Sequence, residues 1–546
     1  MTLRLDQLEF GSVREVDGSS IVLKADALDR ILEGENYQLE VGSYVNCGGR
    51  HGDTICIVSK IQIEDVEVKI KDGNSVQIHS NELNKLTLSV IGSVDDFNQF
   101  TRGANRLPTI KCKAYILTPD QVNSLLGIDL EVTNKNFLVT DDDLNKVFLD
   151  IDKFLGRHVA ILGTTGSGKS CTVASIMQSI LDSYEHPRII FFDIHNEYPS
   201  AFGYGDVENE EYKRKTQCTA WSEFSLPYWF LDIEEFLDIY YPGAGTTQFA
   251  EVKNIITILK QREYSKVSTE SERISVDTPV FFDINDLINE FKQKKENAGS
   301  STTKAEPWEK LILKFENIIG DSRYAFLHRN ISHKTSLSDY FNKILGLNGG
   351  SKYLNILDLS GLPSEVRNIC IGIMTRLCFD YKYWDLDPEN LPLALVLEEA
   401  HNYIPEEESA RFSLCRRRVE RVAKEGRKYG ISLIVVTQRP SNISTTVLSQ
   451  CGTYITLRLT NDLDQNKVRR LLPDTLGGQA DVLPSLRDGE ALVSGDGIKL
   501  PRKVMFRSPD PMPKSNDVRY HRSWKIGRPD DYSVEAIIRG WERREK

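Results

Sequence analysis

The chain lacks long hydrophobic runs, paired cysteines and any excess of positive charge. No window approaches about eighteen uninterrupted apolar residues, so no membrane span is expected. The first residues, Met1-Thr-Leu-Arg-Leu-Asp6, form no apolar core of a signal peptide, and none is expected. The nine cysteines include no C-x-x-C pair and no metal-like spacing. Such a scattered, odd set fits a reducing cytosol better than a disulfide framework. Lys and Arg number 68 against 79 Asp and Glu, a formal charge of −11. A protein gripping DNA over its whole surface is usually basic, so any nucleic-acid contact here is expected to be local. What remains is a soluble, acidic, cytoplasmic chain. Its 546 residues, 40% hydrophobic, hold enough apolar side chain for several cores, roughly three or four domains by length.

Residues 1 to 100 read as β-rich. Ser19–Lys24, Tyr44–Cys47, Thr54–Ser59, Val66–Ile70 and Leu86–Ile91 are short, often alternating, and separated by Gly, Asn and Asp, including Asp72-Gly73. Strands this closely spaced suggest a small barrel or sandwich. Further strand-like pieces, Ile110–Leu117 and Val147–Ile151, complete an N-terminal region of 1–150. From there the pattern alternates between strand and helix, the mark of an α/β fold with a parallel sheet. The expected strands are His158–Leu162, Arg188–Asp193, Tyr353–Asp358, Leu393–Leu397, Ser432–Thr437 and Tyr454–Leu459. Their near-continuous apolar runs suit strands buried on both faces. The alternation stops over 205–350, where Phe249–Gln261, Ile284–Glu296 and Pro307–Ile319 read as helices, the last with Pro307 at its first position. The polar stretch Lys292–Lys304 reads as a linker. This gives a core in two pieces, 151–204 and 351–500, a helical insertion at 205–350, and a C-terminal extension at 501–546 that ends in a helix over Ser533–Glu545.

Residues Gly163-Thr-Thr-Gly-Ser-Gly-Lys-Ser170 complete a G-x-x-x-x-G-K-[ST] loop. A predicted strand precedes it and a predicted helix, Cys171–Leu181, follows, the context in which this pattern cradles phosphate. Gly163, Gly166 and Gly168 allow backbone N–H groups to turn inward, and the helix adds its positive end. Lys169 is suited to β/γ-phosphates and the Ser170 hydroxyl to Mg²⁺. The expected nucleotide-binding set is therefore Gly163, Thr164, Thr165, Gly166, Ser167, Gly168, Lys169, Ser170 and Cys171, with ATP and Mg²⁺ as ligands.

Hydrolysis also needs acids and a polar group near the γ-phosphate. Glu398 and Glu399 follow the apolar run Leu393–Leu397, at the strand edge where ligands sit in open α/β sheets. Glu398 is a candidate to support the metal through water. Glu399 is a candidate base for the attacking water. The plainer reading is two solvated acids. Asp358 also ends an apolar strand, but no second carboxylate follows it directly, and it reads as structural. Gln438, after Ser432–Thr437, is a candidate partner of the γ-phosphate or the lytic water. A helix over Ala410–Tyr429 carries Arg417, Arg421, Lys424 and Lys428 at spacings of 4, 3 and 4, one face of a helix, with Arg427 on the next. Those cations are either solvated and paired locally with Glu420 and Glu425, or reach a neighbouring ATP or a DNA backbone.

Together these stretches resemble the HerA–FtsK group of P-loop motors, and HerA-type DNA translocases in particular. The resemblance rests on Gly156–Ser170, Asp193-Ile-His-Asn-Glu-Tyr198, Glu398-Glu-Ala-His401, Lys424-Glu-Gly-Arg-Lys-Tyr-Gly430 and Thr437-Gln-Arg-Pro440, in the family's order. It implies a RecA-like P-loop core, an N-terminal small β-barrel and a helical insertion. It further implies a homohexamer around double-stranded DNA, with ATP sites between subunits. Glu399 becomes the catalytic base, and Arg157, Arg427 and Lys424 become candidate trans-acting cations; Lys424 stands where an arginine is expected, which leaves that assignment open. The resemblance also implies an effector protein as partner, a nuclease or a sirtuin-like NAD-degrading enzyme, in DNA processing or anti-phage defence. Two functions follow as alternatives: a DNA translocase or helicase, or a nucleotide-gated ring that scaffolds an effector with little translocation. A conjugation-type coupling ATPase is a weaker third.

Overall fold

The computed structural model describes residues 9–543 other than 19, 27, 33–34, 50–51, 73–74, 96–99, 104–106, 119–120, 123–135, 141–146, 206, 243–244, 267–272, 300–301, 330–334, 348, 408–412, 473, 515–519 and 528–531. The chain forms two compact units, Met1–Ser183 with Ile434–Asp510, and Tyr184–Leu433 with Pro511–Lys546. Among the described residues no helix is long and apolar enough to cross a membrane.

The first unit opens with nine strands: β1 (Glu9–Val16), β2 (Ser20–Ala25), β3 (Asp29–Leu32), β4 (Glu35–Gln38), β5 (Tyr44–Gly49), β6 (Gly52–Asp72), β7 (Ser75–Val94), β8 (Phe100–Arg102) and β9 (Lys113–Ile116). Six of them run β2-β1-β9-β5-β6-β7, and β7 pairs back onto β2, which closes a barrel. Closure removes the free sheet edges that otherwise invite aggregation. Alternation fills the barrel: Ile21, Leu23 and Ala25 are buried while Val22 and Lys24 are only partly so. Their partners inside include Phe10, Val13, Val45, Val58, Leu86 and Leu88. Gly11 is required where β1 meets β2, because an added Cβ would lie 2.3 Å from the Lys24 carbonyl oxygen. Two pieces read separately from sequence, Thr54–Ser59 and Val66–Ile70, belong to the single 21-residue strand β6. The polar residues between them do not end it; Glu64 pairs across the hairpin with Lys85 at 2.8 Å. The turn signal Asp72-Gly73 falls partly outside the described residues.

The strands β10 (Asn136–Leu138) and β11 (Phe148–Asp150) pair with each other. Then come β12 (His158–Leu162), β13 (Ile189–Asp193), β14 (Thr216–Thr219), β15 (Leu354–Asp358), β16 (Leu393–Leu397), β17 (Ile431–Thr437), β18 (Cys451–Thr456), β19 (Glu490–Gly495) and β20 (Arg502–Met505). In the first unit β12 lies between β17 and β18, parallel to both, and β19 and β20 extend that sheet antiparallel. In the second unit β14, β15, β13 and β16 are parallel neighbours. Strands β12, β13, β15, β16 and β17 are buried along their whole length, as their apolar runs require. The fold is a RecA-like P-loop core with an N-terminal barrel.

Four readings change. β18 ends at Thr456, so Leu457–Leu459 lie beyond the strand. The stretch 205–350 is not purely helical, because β14 pairs with β15. Pro307 sits inside the helix Thr302–Gly320 rather than at its start. The polar stretch Lys292–Lys304 is largely helical too, with the preceding helix running Ile284–Asn297. Its lysines belong to the outer faces of packed helices: Lys294 pairs with Glu251 at 3.2 Å and Lys295 with Glu309 at 3.1 Å. The C-terminal helix is Val534–Arg543.

Candidate nucleotide site

In the first unit β12 delivers the chain into the loop Gly163–Gly168, and a 15-residue helix, Lys169–Ser183, leaves it. The loop is pinned at its entry. Gly163 N–H donates to Thr437 O at 3.2 Å, and Thr164 N–H and Oγ1 both donate to Arg458 O at 3.0 Å. Gly163 must be glycine, since a Cβ there would lie 2.7 Å from Ser167 Oγ and 2.8 Å from Leu457 Cβ. Gly166 and Gly168 have φ of 74° and 85°, a region side chains disfavour. Ser167 is buried and its hydroxyl donates to Thr164 O at 2.6 Å. Ser167 O accepts Gly489 N–H at 3.0 Å. A trans peptide points its C=O and N–H in opposite directions, so this bond turns Gly168 N–H away from Gly489. Arg458 Nη2 donates to Gly166 O at 3.0 Å and is 2.7 Å from Asp488.

Gln438 follows β17 in the same unit, and the Thr165 hydroxyl donates to its Oε1. The structure therefore brings Gln438 to the loop. Lys169 is buried, while Ser170 and Cys171 are partly so. Arg157, just before β12, pairs with Asp496 at 2.9 Å.

The second unit carries the acids. Asp193 ends β13, and its carboxylate accepts N–H groups of His195 at 3.1 Å, Asn196 at 2.7 Å, Glu197 at 3.4 Å and Tyr198 at 3.1 Å. Burial pushes this carboxyl up to about 6, against the pull of those four donors. The side chain is thus the organiser of the Asp193–Tyr198 turn. Glu398 follows β16 directly and is 2% exposed; its Oε2 accepts Ile194 N–H at 3.0 Å, which knits the end of β16 to the end of β13. Arg367 donates to Ile194 O at 3.1 Å, and burial lowers its guanidinium despite the charge of nearby Glu398. Glu399 has φ 46° and ψ 47°, left-handed for a non-glycine residue, and its Oε2 lies 3.3 Å from His401 Nδ1. Such conformations cost about 1–3 kcal/mol and gather at functional sites. Asp358 accepts Ser360 N–H at 2.9 Å.

The basic helix is described from Ser413 to Glu425, with 408–412 outside the described residues. Arg416 bonds Glu420 at 2.7 Å, Arg417 lies 3.7 Å from Glu234, and Arg418 pairs with Asp232. Arg421 covers the Phe379 ring at 4.3 Å. Lys424, 3.9 Å from Glu420, is 56% exposed. Arg427 and Lys428 are exposed on the turn Gly426–Tyr429.

The donor set of the loop fits a phosphate with Mg²⁺: glycine backbone, an ammonium, a hydroxyl, and an open face at Gly166, where an added Cβ would meet nothing within 4 Å. Mg²⁺ characteristically takes one or two protein oxygens and completes its shell with phosphate and water. Sequence reasoning missed Arg458, Gly489 and Arg367, none of which carries a local pattern.

A family model described as "Helicase HerA, central domain" matches residues 137–378. The chain is 29% identical over 393 residues to the "DNA double-strand break repair helicase HerA" of Saccharolobus solfataricus, covering 70% of this chain and 67% of that protein. It is 25% identical over 518 residues to the "Probable DNA double-strand break repair helicase HerA" of Methanocaldococcus jannaschii, covering 89% and 95%. Among solved structures, VirB4 of Thermoanaerobacter pseudethanolicus aligns over 71% of this chain and 98% of that one at 14% identity, with a TM-score of 0.46.

Proposed function

We propose that this chain, which belongs to the HerA–FtsK group of P-loop ATPases and is an NTP-hydrolysing enzyme, uses ATP to move along or unwind double-stranded DNA. It works in the cytoplasm as a homohexamer, coupled to an effector protein, a nuclease or an NAD-degrading enzyme, in DNA processing or anti-phage defence. The observation that carries the reading is the shaped loop Gly163–Ser170, braced by β17 and Arg458, in a chain similar to HerA helicases over most of its length. In this division 1–150 is the barrel with its connector, 151–204 and 351–500 the ATPase core, 205–350 the insertion, and 501–546 an extension.

In the mechanism, Gly168 N–H and its neighbours bind phosphate oxygens, and Lys169 neutralises the β/γ-phosphates. Mg²⁺ held by Ser170 Oγ, with Glu398 acting through water, would supply charge neutralisation at those phosphates. Glu398 is held in place by Ile194 N–H. Glu399 accepts the proton of the attacking water, and Gln438 orients that water or the γ-phosphate. Arg157, Lys424 and Arg427 are the candidates for a cation offered to the next subunit's ATP. Use of Arg157 requires release of its Asp496 pair.

ATPase assays with and without duplex DNA test this. Duplex DNA is expected to stimulate turnover. Lys169→Ala should abolish nucleotide binding, whereas Glu399→Gln should retain binding and lose about 100-fold or more in rate. Full activity in Glu399→Gln removes the assigned base. A second reading, a nucleotide-gated scaffold for the effector, is favoured by the ion pairs that already occupy Arg416, Arg417 and Arg418. It requires that the effector, and not DNA, change the ATPase rate. Native mass measurement with and without ATP tests the ring.

A further inference from the structure

The turn that braces the phosphate loop has a second face. Gly489 N–H holds Ser167 O at 3.0 Å, and Asp488 is tied through Arg458 to Gly166 O. The same turn, with Arg487 and Glu490, lines a cavity of about 500 Å³ in the first unit. The cavity's other walls come from Glu40–Tyr44 before and at the start of β5, and from Arg502–Met505 of β20. Tyr44 fastens these two walls to each other, its hydroxyl donating to Pro501 O at 2.6 Å.

Cations outnumber acids in this lining. Arg487 and Lys503 lie 3.7 and 3.6 Å from one shared carboxylate, Glu490, which also accepts Arg487 N–H at 3.0 Å. Arg502 adds a third cation, and Glu40 is the other acid of the lining. Arg487 and Lys503 are 76% and 53% exposed in their side chains, so an incoming anion reaches both. Apolar surface borders them, with Val41 40% and Met505 38% exposed. A bare phosphate would use only the cations. A peptide alternating acidic and apolar side chains would use both.

We infer that this cavity docks an acidic, partly apolar segment of a partner protein, and that its occupancy tightens nucleotide binding through the turn Leu486–Glu490. A segment that bridges Arg487 and Lys503 joins the turn to β20. Phe506 N–H, just past β20, already donates to Gly489 O at 3.0 Å. Joining them stiffens the donor that orients the Ser167–Gly168 peptide, and preorganisation of a binding loop raises affinity. Coupling of this kind is reciprocal: the factor by which peptide tightens nucleotide equals the factor by which nucleotide tightens peptide.

The coupling rests on the nucleotide reading of the loop; the docking does not. The test uses the full chain, a fluorescein-labelled hexapeptide of alternating Glu and Leu, its Gln–Leu counterpart, and a fluorescent ATP analogue. The acidic peptide should bind, the neutral one should not, and the double variant Arg487→Gln/Lys503→Gln should weaken binding at least tenfold. Saturating peptide should lower the nucleotide Kd at least threefold, with the same factor in the reverse titration. Peptide affinity unchanged in the double variant overturns the site. Displacement by equimolar inorganic phosphate overturns the peptide assignment in favour of a free anion. Peptide binding with an unaltered nucleotide Kd overturns the coupling. Failure of the ATP analogue to bind the unmodified chain refutes the nucleotide reading, and peptide binding then still decides the docking site.

Discussion

Two glycines of the phosphate loop share a backbone conformation and differ in what surrounds them. Gly166 and Gly168 both have positive φ, 74° and 85°. Alanine at either position pays about 1–2 kcal/mol for the left-handed region. Beyond that the two substitutions part. The Cβ of Gly166→Ala meets nothing within 4 Å, whereas that of Gly168→Ala lies 2.7 Å from Gly489 N and 3.1 Å from Gly489 Cα. Both of those are backbone atoms, and Gly489 N–H is the donor to Ser167 O. Moving Gly489 away forfeits that bond and leaves the carbonyl of buried Ser167 without its donor, a further cost of about 1–3 kcal/mol. Gly168→Ala should therefore destabilise by about 2–5 kcal/mol in all and Gly166→Ala by about 1–2 kcal/mol. Thermal unfolding of both variants, followed with a fluorescent ATP analogue present and absent, reads the difference. The Gly168 variant should melt earlier and lose nucleotide binding at least tenfold relative to the Gly166 variant. Equal melting and equal affinity would refute the argument that Gly489 braces the loop.

Other expectations test the second unit. Asp193→Asn replaces one acceptor oxygen with an amide, so a backbone donor such as Tyr198 N–H is left facing NH₂; the melting temperature should fall by the equivalent of about 1–3 kcal/mol. Glu235→Gln weakens the buried pair with Arg376 at 2.7 Å, so it should destabilise markedly. Full truncation of one partner in such a pair costs about 3–5 kcal/mol, and the double variant Glu235→Leu/Arg376→Leu should recover part of the loss in a denaturant midpoint. Burial lowers the His328 imidazole to about 4. Because the folded state resists a proton that the unfolded state takes up near 6.5, stability from this group is intact above pH 6.5 and is lost as pH falls toward 4. Between pH 7 and 5.5 the melting temperature of His328→Gln should fall less than that of the unmodified chain; equal slopes would discard the assignment.

The loop Gly163–Ser170 was legible because all of its logic is local: strand, glycines and helix are consecutive in sequence. The core strands were legible for a related reason, since burial on both faces leaves an unbroken apolar run such as Leu393–Leu397. Strands whose neighbours supply the pattern were not. β1 contains Gly11, Ser12, Arg14 and Glu15, and its place is set by close approach to β2. β14, Thr216–Thr219, is short and polar, and its pairing with β15 defines it. Arg458 was invisible as a part of the site because the carbonyl it holds, Gly166 O, is 292 residues away in sequence. The basic helix was legible in its local part: Lys424 lies 3.9 Å from Glu420 and Arg421 3.7 Å from Glu425, as pairing along one helix predicts, whereas Glu234 and Asp232, which meet Arg417 and Arg418, come from a distant stretch of sequence.

The acidic pair shows why a strand-end signature understates its residues. Glu398 was read as a metal support alone, and in the structure it also accepts Ile194 N–H, which ties β16 to β13 just where the Asp193 turn begins. Its carbonyl in turn accepts the buried Tyr403 hydroxyl at 2.9 Å. These bonds clamp the peptide on the near side of Glu399, the residue that bears left-handed φ. Asn196, which also has positive φ, tolerates that region through its short polar side chain, but glutamate has no such relief. Strain at Glu399 persists because its neighbours are over-determined: Glu398 on one side, and the turn Ala400–Asn402 closing on Glu399 O through Asn402 N–H at 2.9 Å on the other. These hydrogen bonds fix the backbone of Glu399 from both sides. Under the proposed role as base for the attacking water, a fixed backbone narrows the positions its carboxylate can take, and orientation is what that role needs.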